Sequence, residues 1–248
     1  MVDRDGAAAH KADGAGNDMS MEAIVARFSD PEAIAGYEEG PVRYVPGLAD
    51  LHRMTGVLLA EYAPDDARIL VLGAGGGMEL KALADARPGW TFVGVDPARA
   101  MLDLAERKLG PSAERVAFVH GYIDDAPEGP FDGAVCLLTL HFLDAQERTR
   151  TAGEIRRRLK PGAPFVAAHV SCPQAADEQQ RWLSRYAAFA VAAGEEPERA
   201  EKWRSVTAAN RNLMLSPEEN VAILEAARFS DVAQFYAAFT WRGWVAYA

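Results

Sequence analysis

The stretch Arg68-Ile69-Leu70-Val71-Leu72-Gly73-Ala74-Gly75-Gly76-Gly77-Met78 decides how the chain folds. A short apolar run meets a cluster of glycines, and a helical pattern over residues 78–87 follows. An apolar run of this length, bounded by glycine, fits a buried strand. Glycine lacks a Cβ, so the backbone can turn sharply and come close to a ligand. The helix behind it aims its unbonded amides at that ligand. A tight strand-to-helix turn with no ligand would use the same glycines.

Similar runs lie downstream, over residues 91–95 ending at Asp96, and over 115–120, 133–138 and 164–170. Helical stretches over 99–109 and 145–159 separate them. Buried strands alternating with amphipathic helices predict an α/β fold, a doubly wound and mostly parallel sheet covered on both faces. Ligands of such sheets bind beyond the carboxyl ends of the strands. Upstream, residues 21–28, 31–38 and 48–62 read as helices, with a turn-rich segment over 41–47. Beyond Val170 come two helices, over 175–193 and 197–212. Ser216-Pro217-Glu218-Glu219 then reads as a capping box opening a helix to about Arg228. Two last strands are read over 232–239 and 242–247. The expected organisation is a flexible tail over 1–18, an N-terminal helical cap segment over 19–64, and a ligand-binding domain over 65–248. A helical lid is inserted in that domain at about 174–213.

Composition narrows the class. The 248 residues are 49% hydrophobic, enough for a packed core. A net charge of -10 repels phosphate backbones and argues against nucleic acid as a partner. Arg148, Arg150, Arg156, Arg157, Arg158 and Lys160 crowd one predicted helix and read as a solvated face near its C-terminus. Cys136 and Cys172 form no disulfide or zinc pattern and read as packed thiols of a cytoplasmic protein. No metal site is expected. The most apolar stretch, 187–193, is far shorter than the roughly 20 residues a membrane span needs. The first eighteen residues lack the apolar core of a signal peptide.

The glycine spacing separates two cofactor classes. A dinucleotide fingerprint wants G-x-G-x-x-G, and Met78 occupies its third glycine position. The spacing present is G-x-G-x-G, through Gly73, Gly75 and Gly77. Asp96 ends the second strand, where a carboxylate can accept both hydroxyls of a ribose. It can equally cap the helix that begins after Pro97 and Ala98, and the two roles are compatible.

These segments resemble the class I S-adenosylmethionine (SAM)-dependent methyltransferases, from the glycine bend through Asp96, Phe131-Asp132, Leu140-His141 and Leu159-Lys160-Pro161-Gly162. The terminal strand pair, around Phe235-Tyr236 and Trp241 to Ala246, resembles the antiparallel pair that closes their seven-stranded sheet. The resemblance implies SAM as cofactor, with S-adenosylhomocysteine (SAH) as product, and a small-molecule substrate as partner. A homodimer is compatible with it. It implies cofactor contacts from Gly73, Ala74, Gly75, Gly77, Asp96, Pro97, Met101, Gly121, Tyr122, Ile123 and Leu137.

Arg43-Tyr44-Val45-Pro46-Gly47 and Thr139 to Leu143 are similar to a narrower branch, carboxy-SAM synthases and tRNA carboxymethoxyuridine methyltransferase-like proteins. That similarity makes Arg43 the candidate for the cofactor carboxylate. The acid common two residues before Gly73 is Val71 here, and the acid after Gly121 is Tyr122. Adenine recognition then falls to Ile123, Asp124 or backbone, with Tyr122 offering a stacking surface. The arginine that carboxy-SAM synthases carry in the last helix is replaced by Ile223. His141 and His169 follow strands four and five and are the candidate general bases, since histidine titrates at about 6.5. Carboxyl transfer onto SAM, and a SAM- or SAH-binding regulator without transfer, are the alternatives. An NAD-dependent oxidoreductase is opposed by Met78 and the terminal strand pair.

Overall fold

The structure is a computed structural model and describes residues 20–30, 34, 36–210 and 213–248. The tail read over 1–18 lies outside these residues, as do positions 31–33 and 35 of the helix read over 31–38.

Among the described residues three N-terminal helices, α1 (Met21–Ser29), α2 (Glu39–Tyr44) and α3 (Leu48–Ala60), precede the first strand. Helix α2 falls where the sequence suggested turns. Pro41 is tolerated there because the first turn of a helix needs no amide hydrogen bond. Alternation follows: β1 (Arg68–Leu72), α4 (Met78–Ala86), β2 (Thr91–Asp96), α5 (Arg99–Leu109), β3 (Val116–His120), β4 (Gly133–Leu137), α6 (Ala145–Arg157) and β5 (Pro164–Val170). Two helices, α7 (Ala176–Ala192) and α8 (Pro197–Ala209), leave the pattern before α9 (Pro217–Ala226), β6 (Ser230–Ala238) and β7 (Trp241–Tyr247) complete it.

Among the described residues the strands form one seven-stranded sheet in the order β3-β2-β1-β4-β5-β7-β6. The first five are parallel, and β7 runs antiparallel between β5 and β6. The order in which strands are added reverses between β1 and β4, and that switch point opens a crevice at the carboxyl edge.

Side chains alternate across a strand, so the apolar runs serve two cores. Ile69, Val71, Phe92, Val135 and Val166 face α3, α4 and α5 through Leu51, Leu59, Leu80, Leu83 and Leu102. Leu70, Val93, Val95, Ala134 and Phe165 face α6 and α9 through Ile155 and Leu224. The Ser216 hydroxyl accepts from the Glu219 amide at 3.1 Å, and the Glu219 carboxylate accepts from the Ser216 amide at 2.7 Å, which sets the start of α9.

The basic cluster on α6 departs from the sequence expectation. Arg148 and Arg158 are buried, at 1% and 2% exposure. Arg148 donates to Asn220 Oδ1 at 2.6 Å and to the Leu143 and Leu213 carbonyls at 3.0 Å each. Burial pushes its pKa down to about 10. Arg150 is held by Asp124 and Glu147, Arg157 by Glu128 and Glu154, and Lys160 by Asp132. Helix α6 and its C-terminal end are therefore tied down by their cations, of which Arg148 and Arg158 are buried.

Trp241 Nε1 donates to the Tyr44 carbonyl at 2.9 Å, and the Tyr236 hydroxyl donates to the Pro46 carbonyl at 2.5 Å. These bonds fasten the segment between α2 and α3 to the last strands and bring the N-terminal helices over the crevice. Among the described residues no helix is long and apolar enough to cross a membrane.

Candidate active site

The crevice holds a cavity of about 660 Å³ above the carboxyl ends of β1, β2 and β4. Such a volume suits a cofactor or drug-sized ligand, typically about 300–1,000 Å³. Its floor is the bend after β1. There the backbone enters the left-handed region at Gly73 (φ 74°), Gly75 (φ 47°) and Gly77 (φ 77°), which side chains disfavour. A Cβ on Gly73 would also lie 2.0 Å from Thr139 Oγ1. The bend is thus bare where the chain after β4 crosses it.

Asp96 locks this floor. Its Oδ2 accepts from the Gly75 amide at 2.8 Å, and its Oδ1 accepts from the Ala98 amide at 2.9 Å. The residue therefore caps the segment entering α5 and braces the bend. Burial raises its carboxyl pKa, while the Ala98 and Gly75 amides and nearby His120 oppose the rise.

Arg43, Gly73, Gly75, Asp96, Pro97, Met101, Gly121, Tyr122, Ile123 and Leu137 all line the cavity. Two of the expected contacts do not. Ala74 is fully buried under the bend, where its methyl meets Gly94. Gly77 faces α5, and a Cβ there would lie 2.8 Å from the Ala105 methyl. Gly76 lines the cavity instead. Arg43 reaches the wall but pairs with Glu39 at 2.6 Å. Asp124 is taken by Arg150, and Asp125 accepts from the Tyr122 amide at 2.8 Å, so neither carboxylate points at the base position.

The two histidines separate. His141 lines the cavity, with its ring 5.6 Å from that of Trp241. Burial, with the charge of Arg148, lowers its pKa to about 3, so it is a neutral and weakly basic imidazole. His169 is not a cavity residue. It is 3% exposed, and its Nε2 lies 2.8 Å from Asn220 Oδ1. The Asn220 amide nitrogen donates to Ser171 Oγ and the Ser216 carbonyl, so Oδ1 is the acceptor and His169 Nε2 carries the proton. The expectation of His169 as a base is corrected on this geometry: it is a structural donor inside the sheet-helix interface.

Several wall residues escaped the sequence reading. Glu79, in the first turn of α4, is buried against the cavity, and burial raises its pKa to about 8. His52 of α3 lines the same cavity, and burial lowers its pKa to about 4. Tyr37, in the segment expected to cover the pocket, lies over the bend, within 3.5 Å of a Cβ built at Gly75 or Gly76. Glu195 reads in the sequence as part of a link between helices, yet it is 4% exposed and lines the cavity. In each case helix phase or lid packing, invisible in local spacing, turns the residue inward. Among the described residues no cluster of three or more His, Cys, Asp or Glu could hold a metal ion.

A doubly wound sheet closed by an antiparallel strand, with a glycine bend braced by the acid of β2, is the fold of class I SAM-dependent methyltransferases. Residues 69–162 match the family described as "Methyltransferase domain". It is 30% identical to the carboxy-S-adenosyl-L-methionine synthase of Chromohalobacter salexigens over 178 residues, 68% of this chain and 65% of that one. It is 28% identical to the synthase of Campylobacter lari over 137 residues, 55% of this chain and 58% of that one. The chain thus spans about three-fifths of the length of these curated relatives. An O-methyltransferase family protein from Burkholderia thailandensis has the same fold, with a TM-score of 0.65 at 16% identity over 92% of this chain and 63% of that one.

Proposed function

We propose that the chain binds SAM in this cavity and transfers its methyl group to a small-molecule acceptor, leaving SAH. The observation that carries the reading is the Gly75–Asp96 hydrogen bond, which joins a bare bend and the carboxylate at the end of β2 across one crevice. SAM supplies an activated methyl on a sulfonium, so the protein's task is chiefly to position and enclose.

Asp96 would take the ribose hydroxyls. Gly73, Gly75 and Gly76 would lie along the methionine portion, with Arg43 turning from Glu39 to its carboxylate. Glu79, beside the bend, would meet its ammonium. Pro97, Met101, Tyr122 and Ile123 would sandwich the base. Leu137 and His141 border the space left for the acceptor, and the aromatic side chains of α2, α7 and α8 exclude water from it. With so low a pKa, His141 is better suited to orienting an acceptor than to removing its proton.

Carboxyl transfer onto SAM is a second reading, favoured by the names of the curated relatives. Against it, the position expected to hold an arginine is Ile223, a buried residue of α9 away from the cavity wall. We place the protein in the cytoplasm, with nucleic acid disfavoured as substrate by the net charge of -10 and a homodimer compatible with the reading. Calorimetric titration with SAM, SAH, NAD and FAD tests the cofactor. Binding of the adenosyl ligands alone is expected, and binding of NAD without SAH overturns the reading. Incubation with a metabolite library, with SAH release as readout, then separates enzyme from binder.

A further inference from the structure

One end of the cavity carries chemistry that cofactor binding leaves unused. Glu195, between α7 and α8, is 4% exposed, and its Oε2 finds no hydrogen-bond donor. Its other oxygen accepts from the Glu196 amide at 3.1 Å. The Tyr44 hydroxyl faces this carboxylate at hydrogen-bonding approach, but the contact falls short of normal hydrogen-bond geometry, and neither the hydroxyl nor Glu195 Oε2 has another partner. Both residues line the cavity. A buried oxygen without a donor is costly, because it has given up its hydration for nothing in return. Two such groups side by side describe a place where a ligand completes the bonding.

The surroundings define that ligand's body. The Tyr44 ring lies 5.5 Å from Tyr186 and 6.4 Å from Trp203. Tyr186 lies 6.4 Å from Trp241, which in turn lies 5.6 Å from His141. The aromatic wall therefore runs from Glu195 to the end of β4, where the methyl would be delivered. The nearby cations are already engaged. Arg43 pairs with Glu39, Arg27 lies 4.5 Å over the Trp203 ring, and the exposed Arg199 stands 3.8 Å from Glu195 Oε1. What is left unsatisfied is an acceptor, which calls for a hydrogen-bond donor on the ligand. Aromatic faces beside a carboxylate favour an ammonium group over a neutral or anionic one.

We propose that the methyl acceptor is a small amine with a flat apolar body, and that Glu195 is the specificity residue gripping its nitrogen. The inference rests on the methyltransferase reading above, and the test keeps the two apart. Phenethylamine, 2-phenylethanol and phenylacetate are titrated calorimetrically into the full chain saturated with SAH. The amine is expected to bind about tenfold or more tightly than the alcohol or the acid. E195Q is expected to abolish that preference while keeping SAH affinity within about twofold, since Glu195 is placed away from the cofactor. Tyr44→Phe is expected to weaken the amine by a smaller factor. Equal binding of the three probes, preference for phenylacetate, no binding of any, or a preference that survives in E195Q overturns the proposal. The last result would leave Glu195 as a lid residue held by Tyr44. Should E195Q lose SAH affinity, and with it the fold, Glu195→Asp, which keeps the charge but withdraws it by one methylene, is expected to weaken the amine preference severalfold, and an undiminished preference there overturns the proposal. If the native chain binds no SAH, the cofactor reading falls, and the amine titration on the unliganded chain still decides the role of Glu195.

Discussion

Asp96 Oδ2 accepts from the Gly75 amide at 2.8 Å, so the last residue of β2 holds the bend that ends β1. The same carboxylate caps the entry to α5 through Ala98. One side chain thereby fixes two walls of the cavity before any ligand arrives. Replacing it should cost both pre-organisation and ribose contact. Asp96→Ala is expected to weaken SAH binding by about tenfold or more, read by calorimetry. Asp96→Asn should also weaken it, because one amide oxygen cannot serve both backbone donors. Unchanged affinity in Asp96→Ala removes Asp96 from the ribose role.

Glu79 gives a pH signature. Its carboxyl titrates near 4.5 in the unfolded chain and at about 8 in the folded one, because burial disfavours the charge. Between those values the folded protein holds a proton that the unfolded chain has lost. Stability from this group is therefore full below about 4.5 and is lost as pH rises through about 8. Glu79→Gln removes the titration. Thermal melts of the unliganded protein should show the variant gaining on the native chain as pH climbs through that window. A constant difference in melting temperature would show that Glu79 is solvated as an ordinary carboxylate.

His169 and Arg148 should behave as structural residues. Both donate to Asn220 Oδ1, at 2.8 and 2.6 Å, across the junction of β5, α6 and α9. His169→Ala leaves that junction short of a donor and should cost about 1–3 kcal/mol in denaturant unfolding. Turnover per folded molecule, and its pH profile, should stay as in the native chain. His141→Ala, on the cavity wall, should lower turnover with a smaller loss of stability. A pH–rate limb that disappears only in His169→Ala would restore His169 as a base.

Much of the sheet was legible because its signals are local. Apolar runs closed by glycine or acid mark β1 and β2, and Ser216 with Glu219 marks the start of α9. The floor of the cavity was legible for the same reason, since Gly73, Gly75 and Asp96 sit at strand ends whatever the rest of the chain does. Which side chains of the lid and the side walls turn inward was not. Glu79 and His52 depend on how α4 and α3 are rotated on the sheet, and Glu195 depends on how α7 and α8 meet. Arg148 looked like a surface cation because its partners, Asn220 and the Leu213 carbonyl, lie some seventy residues away. Spacing could not tell His141 from His169 either. His169 lies inside β5 with its ring bonded to Asn220, whereas His141 lies beyond the end of β4 on the cavity wall.

The glycine bend offers the sharpest division between fold and function. Gly77 is left-handed at φ 77°, and a Cβ there would meet Ala105 Cβ at 2.8 Å and Cα at 2.9 Å. Backbone of α5 cannot give way cheaply, so Gly77→Ala combines left-handed strain with overpacking. It is expected to lose about 2 kcal/mol or more in chemical denaturation. Gly76 has no such φ, and its Cβ would meet only the ends of Leu104 and Tyr37 side chains, at 3.1 Å. Gly76→Ala should unfold close to the native midpoint, yet weaken SAH severalfold, because this glycine faces the cavity. If the alanine at 76 binds SAH as the native chain does, with the loss falling on 77 instead, then the methionine portion lies along α5 and the orientation proposed for the cofactor is reversed.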